Sequence, residues 1–459
     1  MGKRLLSVGL DVGTSTTSLI FSQLKVENRA SGFAVPRLEI AEREILYRSP
    51  VHFTPLLGEN LVDGDGVRAI VEREYQRAGF EKHQVDTGAI IITGETSRKE
   101  NAAAVLASLS AFAGEFVVAT AGPDLESVLA AKGAGAVAYS EETGKTVVHV
   151  DIGGGTSNLA LIEKGQIVAT ACLNVGGRLL KLESGRVVYC SAVLQDLTDI
   201  RAGESLTRER AGELTKMLTH ALEMAVGLRE KTELLDKLTT VGTKPLPYAE
   251  GAVLSFSGGV AACMEKKVDW DAYGDIGPLL AEAILQSCLC KGPYQLGAET
   301  VRATVIGAGC HSTQLSGSTV YCRGVALPLK NLPVAVFTKE EQTLSDFPRL
   351  IAQRLGEKDA DTVILAMPGF SAPTYGQITA LADAIMAGTK GKNIFVCLQS
   401  DMAKALGQAI ALRTDKSRPC LCIDSVALTP ESYLDIGAPV GPCLPVVIKT
   451  LVLENRRSK

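Results

Sequence analysis

The stretch Val147-Val148-His149-Val150-Asp151-Ile152-Gly153-Gly154-Gly155-Thr156-Ser157-Asn158-Leu159-Ala160-Leu161-Ile162 decides how this chain folds. It reads as an apolar strand ending on an aspartate, a turn of glycines and hydroxyls, and a returning apolar strand: a β-hairpin. About 140 residues earlier the same order occurs, as Leu5-Leu6-Ser7-Val8-Gly9-Leu10-Asp11, then Val12-Gly13-Thr14-Ser15-Thr16-Thr17, then Ser18-Leu19-Ile20-Phe21. One loop of this kind is an ordinary hairpin turn. Two of them, in order, imply a duplicated unit with a shared chemical task.

That task follows from the residue types. A strand that ends in Asp and turns through Gly-Thr-Ser-Thr gathers backbone N–H groups and hydroxyls around one point, an arrangement suited to phosphate oxygens. The glycines of the second loop let a polyphosphate come close to the backbone. Candidate phosphate contacts are therefore Gly13, Thr14, Ser15 and Thr16 on the first loop, and Gly153, Gly154, Gly155, Thr156 and Ser157 on the second. Mg²⁺ takes oxygen ligands, keeps several waters and is held by one or two carboxylates plus phosphates, a role for Asp11 and Asp151. The G-x-x-x-x-G-K-[ST] phosphate loop is absent.

Working outward, a charged alternating strand (39–47) and a helix (67–77) precede a buried strand at 89–94, a helix at 99–112 and a strand at 116–120. A small-residue helix over 125–137 carries Ala130, Ala131, Gly133, Ala134, Gly135 and Ala136, which permit close approach of a neighbouring backbone. Apolar residues at 211, 214, 218, 221, 222, 225 and 228 predict a long amphipathic helix, and two strands running into glycines are expected at 254–260 and 301–309. From about residue 325 the pattern restarts, with strands near 334–338, 362–366, 394–398 and 420–424 and helices near 375–387 and 400–413. The expected domains are 1–145, with a small insertion near 25–65, then 146–324, and a C-terminal α/β domain over 325–459.

Composition narrows the function classes. With 459 residues, 46% hydrophobic and 21% charged, the chain has ample apolar material for more than one core. A net charge of -4 gives no global basic field for nucleic acid or anionic lipid. The two uncharged stretches, after Arg302 and after Asp361, are broken by Gly, Ser, Thr or Pro and do not read as membrane spans. Asp11 interrupts the N-terminal apolar run, against a secretory signal. The 11 cysteines include C-x-C pairs at Cys288/Cys290 and Cys420/Cys422, which in a strand put both thiols on one face, and the five histidines show no zinc spacing. The expectation is a cytoplasmic protein with neither nucleic acid nor membrane among its partners.

In their order, these motifs resemble those of the actin-like ATPases. The first phosphate motif is Val8-Gly9-Leu10-Asp11-Val12-Gly13-Thr14-Ser15-Thr16, the second Asp151-Ile152-Gly153-Gly154-Gly155-Thr156, and the adenosine motif Ser257-Gly258-Gly259-Val260. Residues 125–138 match the first connecting helix and Gly307-Ala308-Gly309 the second connecting element. The resemblance implies an α/β fold: an actin-like, ribonuclease H-like two-lobed ATPase core with an additional C-terminal α/β domain. It also implies that ATP and Mg²⁺ are the cofactors, with Ser257, Gly258, Gly259, Val260 and Gly307 on the nucleotide. Asn158 stands where chaperone relatives carry Asp, so no carboxylate acts there.

A narrower resemblance is to the reactivating factors of ethanolamine ammonia-lyase. It is carried by Ile92-Thr93-Gly94-Glu95-Thr96-Ser97-Arg98-Lys99-Glu100-Asn101-Ala102, by Gly122-Pro123-Asp124-Leu125-Glu126-Ser127, and by Tyr433-Leu434-Asp435-Ile436-Gly437 with Leu444-Pro445-Val446-Val447-Ile448-Lys449-Thr450-Leu451. That family implies ATP- and Mg²⁺-dependent release of adenine-lacking cobalamin from the lyase, which is then the expected partner. Glu95, Asp124 and Glu126 are candidates to orient the attacking water. Homo-oligomer formation and association with the ethanolamine-utilisation microcompartment stay open. The alternative on the same fold is a small-molecule kinase, and a third reading is a filament-forming actin relative.

Overall fold

The computed structural model describes residues 3–450 apart from 14–15, 29–37, 58–60, 94–100, 110–117, 121–122, 241–242, 248–249, 267, 312, 318, 359, 361, 415–417, 429–431 and 440. The first lobe is built on strands β1 (Lys3–Val12), β2 (Thr16–Asn28), β3 (Leu38–Arg48), β4 (His52–Phe53), β5 (Thr87–Ile92) and β6 (Val118–Thr120), with helices α1 (Gly64–Ala78) and α2 (Ala102–Leu109). Its sheet runs β3-β2-β1-β5-β6, with β4 paired to β2. Strands β1 and β2 form the expected hairpin, and β5 lies parallel to β1. Helix α1 starts where the Asp63 side chain accepts from Gly66 N, and it buries Val67, Ile70, Val71 and Tyr75.

Helices α3 (Pro123–Gly133) and α4 (Ala136–Thr143) lead into the second lobe. The single helix expected over 125–137 is thus broken at Gly135, whose φ of 81° takes it out of helical geometry. Strands β7 (Val147–Ile152), β8 (Ser157–Glu163) and β9 (Gln166–Leu173) come next, followed by the hairpin β10 (Leu180–Glu183) and β11 (Arg186–Cys190). Helices α5 (Ala192–Leu197), α6 (Arg208–Ala225) and α7 (Glu233–Leu238) precede β12 (Val253–Ser257), α8 (Gly258–Glu265), α9 (Gly277–Gln286) and β13 (Tyr294–Leu296). Helix α6 is the long amphipathic helix read from the sequence, and it buries Ala211, Leu214, Leu218, Ala221, Leu222 and Ala225 on one face.

The second sheet runs β13-β12-β7-β8-β9, with β8 and β9 antiparallel and β12 and β13 parallel. In chain order within each lobe this is third-second-first-fourth-fifth, the order of the first sheet. The molecule is therefore a duplicated, actin-like α/β core with two lobes.

Between the lobes lies α10 (Ala303–Ile306), continued by a π turn over Gly307–His311. A strand was expected over 301–309, and the structure corrects this to helix. A run of four apolar and small residues has no usable period, and packing decides its form. A Cβ on Gly133 would lie 1.8 Å from the Ala303 carbonyl oxygen, and one on Gly307 would lie 2.1 Å from that of Leu129. Helix α3 and the α10–π segment thus cross backbone against backbone, as the small-residue pattern of α3 anticipated.

The third sheet contains β14 (Thr313–Leu315), β15 (Tyr321–Arg323), β16 (Leu329–Val336), β17 (Ile364–Met367), β18 (Ile394–Leu398), β19 (Cys420–Ile423), β20 (Ser432–Ile436) and β21 (Pro445–Thr450), in the order β14-β21-β20-β16-β17-β18-β19-β15. Helices α11 (Phe347–Gly356), α12 (Tyr375–Thr389) and α13 (Ala403–Ala411) connect the parallel strands β16 to β19. Cys420 and Cys422 both join the core under these helices, one face as expected for C-x-C in a strand. Cys288 and Cys290 instead sit on a short 3₁₀ turn.

Two predictions follow from the crossing. Gly307→Ala should lower unfolding free energy by about 1–3 kcal/mol or more through overpacking, whereas Gly292→Ala, with open space around it, should change it by less than about 0.5 kcal/mol. Urea unfolding of the two variants measures the difference. The second concerns His311, whose pKa is pushed down to about 3 by burial and by Arg43 and Lys132. Its folded-state pKa lies below the unfolded value near 6.5, so the stability it carries is full above that value and is lost as pH falls from there towards 3. The urea midpoint of His311→Gln should decline less than that of wild type between pH 6.5 and 4.

Candidate functional site

The two hairpin turns face each other across a cavity of about 400 Å³ between the lobes. Each turn is closed by the same bond, Gly13 N to Thr16 O at 2.9 Å in the first lobe and Gly153 N to Thr156 O at 2.9 Å in the second. Strand β1 delivers Asp11 and β7 delivers Asp151, both to the cavity lining. Each carboxylate receives a hydroxyl from the parallel strand beside it. Thr93, just past β5, donates to Asp11 Oδ1 at 2.8 Å, and Ser257, the last residue of β12, donates to Asp151 Oδ1. Behind Ser257, the buried His149 ring bonds Ser255 and Ser257 at 3.1 and 2.9 Å. The duplication extends from strand order to the hydroxyl that orients each acid.

Burial raises both acids. Asp11 is pushed up to about 7, chiefly by loss of hydration, against the Thr93 hydrogen bond and with the Asp151 charge adding to the rise. Asp151 is pushed up to about 6 by burial, opposed by Ser257. Two carboxylates of one sign facing one cavity form a donor set that fits a hard, oxygen-seeking divalent cation. Among the described residues no group of three or more His, Cys, Asp or Glu gathers into a full cage, so phosphate and water would complete the shell.

The stretch expected to be the adenosine motif, Ser257 to Val260, begins α8 beside the second loop. Gly258 has φ 92°, and a Cβ on it would lie 2.3 Å from the Ile152 carbonyl oxygen, so only glycine lets α8 start against the β7–β8 turn. Gly258, Gly259, Val260, Ala262, Cys263 and Tyr273 form that wall of the cavity.

Of the residues predicted from sequence, the cavity brings together Asp11, Gly13, Thr16, Asp151, Gly153, Gly154, Gly155, Thr156, Gly258, Gly259, Val260 and Glu126. Thr14, Ser15 and Glu95 lie outside the described residues. Four others are directed elsewhere. Ser157 donates to Val175 O, Ser257 serves Asp151 rather than the cavity, and Gly307 is at the helix crossing. Asp124 is exposed and accepts from Thr170 Oγ1 at 2.5 Å, outside the lining, while its neighbour Glu126 is 9% exposed.

Sequence reasoning missed Thr93, Phe53, Arg178 and Asp275, all of which line the cavity. Arg178 pairs with Asp275, Nε to Oδ2 at 3.1 Å, and its guanidinium lies 5.2 Å from the centre of the Phe53 ring on the opposite lobe. The pair Gly176-Gly177 just before Arg178 was the available signal, since glycines marked the other strand ends.

With this geometry in view, a family model described as Ethanolamine utilisation protein EutA matches residues 3–454. The chain is 39% identical over 466 residues to the ethanolamine ammonia-lyase reactivase EutA of Escherichia coli, covering 99% of each chain. It is 38% identical over 468 residues to that of Salmonella typhimurium, again covering 99% of each. Among solved structures, the ethanolamine utilization protein EutJ from Carboxydothermus hydrogenoformans overlaps at a TM-score of 0.35 and 20% identity, covering 66% of this chain and 88% of that one. The activator of 2-hydroxyisocaproyl-CoA dehydratase from Clostridium difficile with bound ADPNP overlaps at 0.33 and 10%, covering 66% and 93%. Overlaps that loose add nothing to the fold, which stands on the repeated strand order.

The electrostatics give a direct prediction in metal-free buffer. Asp151→Asn should lower the Asp11 pKa by removing a like charge, and Thr93→Val should raise it by removing a donor to the ionised form. Isotope-edited infrared titration of the Asp11 carboxylate reads both shifts; equal pKa values in the three proteins would refute the assigned contacts.

Proposed function

The chain belongs to the EutA family of ethanolamine utilisation proteins, and from that premise we propose that it reactivates ethanolamine ammonia-lyase by an ATP- and Mg²⁺-dependent release of adenine-lacking cobalamin, so that intact adenosylcobalamin can rebind. The observation that carries the nucleotide part is the pair of matched turns, each with its carboxylate, facing one another across the cavity. The lyase as partner rests on the full-length likeness to the two reactivases.

In this reading Asp11 and Asp151 hold Mg²⁺, which when bound neutralises charge on the phosphates. The backbone N–H groups of the two turns bind phosphate oxygens, and Gly258, Gly259 and Val260 leave room for a flat base against the start of α8. Glu126, nearly buried and in the lining, orients the attacking water. Hydrolysis relies on positioning and charge neutralisation. Work on the lyase requires that nucleotide state change the affinity for it, because a ligand shifts an equilibrium only through unequal binding to two states. Two lobes sharing a cleft supply those states. Among the described residues no helix is long and apolar enough to cross a membrane. The family membership supports a proposed cytoplasmic location in association with the ethanolamine-utilisation microcompartment.

The test uses lyase blocked with adenine-lacking cobalamin, then supplied with adenosylcobalamin, ATP, Mg²⁺ and this protein. Wild type should restore turnover, and Asp11→Asn should restore it roughly a hundredfold more slowly, the scale of losing one electrostatic stabiliser in a buried site. Folded, nucleotide-bound wild type that restores nothing would remove the reactivase reading and turn attention to a kinase acceptor.

A further inference from the structure

Residues 48–53 run from the end of β3 through β4 and strap the first lobe to elements at its boundary with the second. Arg48 Nε bonds Glu299 Oε1 at 2.9 Å, and the Ser49 carbonyl accepts from Arg302 Nη2 at 2.9 Å. Within the first lobe the strap is anchored by Glu74, which is 0% exposed and receives the Tyr47 hydroxyl at 2.6 Å, His52 Nε2 at 3.1 Å and Arg77 Nη1 at 2.9 Å. At the cavity the strap ends in Phe53, 72% exposed, its ring against the Arg178 guanidinium at 5.2 Å.

Arg178 is fixed at its backbone and underused at its tip. Its N–H bonds the Gly154 carbonyl at 2.6 Å, so the residue moves with the second phosphate turn. Asp275, itself pinned by Gly277 N at 2.9 Å, takes Nε only. Among the described residues the two Nη groups make no hydrogen bond, and the side chain lines the cavity. A guanidinium carries five N–H donors in a planar fork matched to phosphate, and its remaining face stacks on an aromatic ring. Among the described residues Arg178 is therefore a cation beside the glycine turn whose Nη donors face the cavity and whose flat face meets Phe53 of the other lobe.

We propose that Arg178 grips the terminal phosphate of the bound nucleoside triphosphate, and that Phe53 relays the presence of that phosphate to the strap, so that the lobes draw together on triphosphate and relax on diphosphate. This rests on the nucleotide-binding reading above and adds to it the residue that distinguishes substrate from product. Asp275 holds the fork in place before the ligand arrives, which reduces the ordering cost of binding.

The test measures affinity for ADP and for the imido analogue of ATP, both with Mg²⁺, and hydrogen exchange of the 48–53 backbone with each ligand. Wild type should bind both and show slower exchange in the strap with the triphosphate analogue than with ADP. Arg178→Gln should lose about ten- to a hundredfold affinity for the triphosphate analogue, the scale of charged hydrogen bonds, and less than about threefold for ADP, where no terminal phosphate reaches it. Phe53→Ala should keep the ligand preference and lose the added protection of the strap. Should Arg178→Gln not fold with Asp275 Oδ2 left without its partner, Arg178→Lys retains the charge and should still narrow the preference, since a point charge lacks the fork. An unchanged triphosphate-to-diphosphate ratio in the Arg178 variants, or intact strap protection in Phe53→Ala, overturns the inference while leaving nucleotide binding standing. Wild type that binds neither nucleotide overturns both.

Discussion

The contact on which the rest of this molecule depends is the crossing of α3 with the α10–π segment, where peptide backbones meet with no side chain between them. Side chains at Gly133 and Gly307 would occupy the positions of the Ala303 and Leu129 carbonyls. The same segment reaches into the first lobe, where the Gly309 carbonyl accepts from both Ser7 and Ser22, on β1 and β2, at 2.6 and 3.1 Å. Separating these elements by the width of one methyl group would move the lobes apart and carry the two glycine turns out of register. Small residues at the crossing are thus a condition for the site, although none of them touches the cavity.

The second constraint is electrostatic. Two buried carboxylates facing a shared space oppose folding, because burial and mutual repulsion both disfavour their charged forms. The fold offsets part of this with one hydroxyl donor per acid, Thr93 for Asp11 and Ser257 for Asp151, each delivered by the strand parallel to the one that carries the acid. These donors leave the acids raised and ready to gain from a cation. Arg178 pairs with Asp275 through Nε rather than with either acid. Under the proposed function, strain kept at the site in this way would convert into affinity once a divalent ion and phosphates arrive, the pattern expected where function and stability compete.

How much of this could be read from the chain depends on whether the signal was local. The hairpins around Asp11 and Asp151 were legible because apolar strand, acid, glycine turn and strand are adjacent in sequence, and because the pattern occurs twice. The small residues of α3 also announced a close neighbour correctly, without saying which. Thr93 and Ser257 were not legible as partners of the acids, since that role arises from pairing between strands distant in sequence. Ser257 was assigned to the nucleotide for this reason; its register opposite Asp151 turns the hydroxyl inward. The 301–309 segment was misread because apolar content without period fits helix and strand alike. The short strands β14, β15, β20 and β21 and helix α11 also went unread, the strands being placed by antiparallel pairing that no turn signal marks.

The third sheet is where the crossing acquires a consequence beyond the cavity. Val447 of β21 packs in one buried cluster with Ala89 and Ile91 of β5, Leu129 of α3 and Ala308 of the π turn, and Thr313 of β14 bonds Thr87 of β5 at 2.7 Å. Strand β21 is thereby seated on the same backbone crossing that sets the angle between the lobes. It is hydrogen-bonded through β20 to β16, and so to the parallel strands and helices α11 to α13. Close-packed interiors do not deform smoothly, and a displacement at one layer is passed on as a shift of the next. A change of lobe angle at the crossing therefore has a direct mechanical route into the C-terminal sheet through Val447, with no loop in between. A separate domain tied on by a flexible linker would have no such route, and the proposed action of a nucleotide in the cleft on a protein partner would gain from having the two in one packed body.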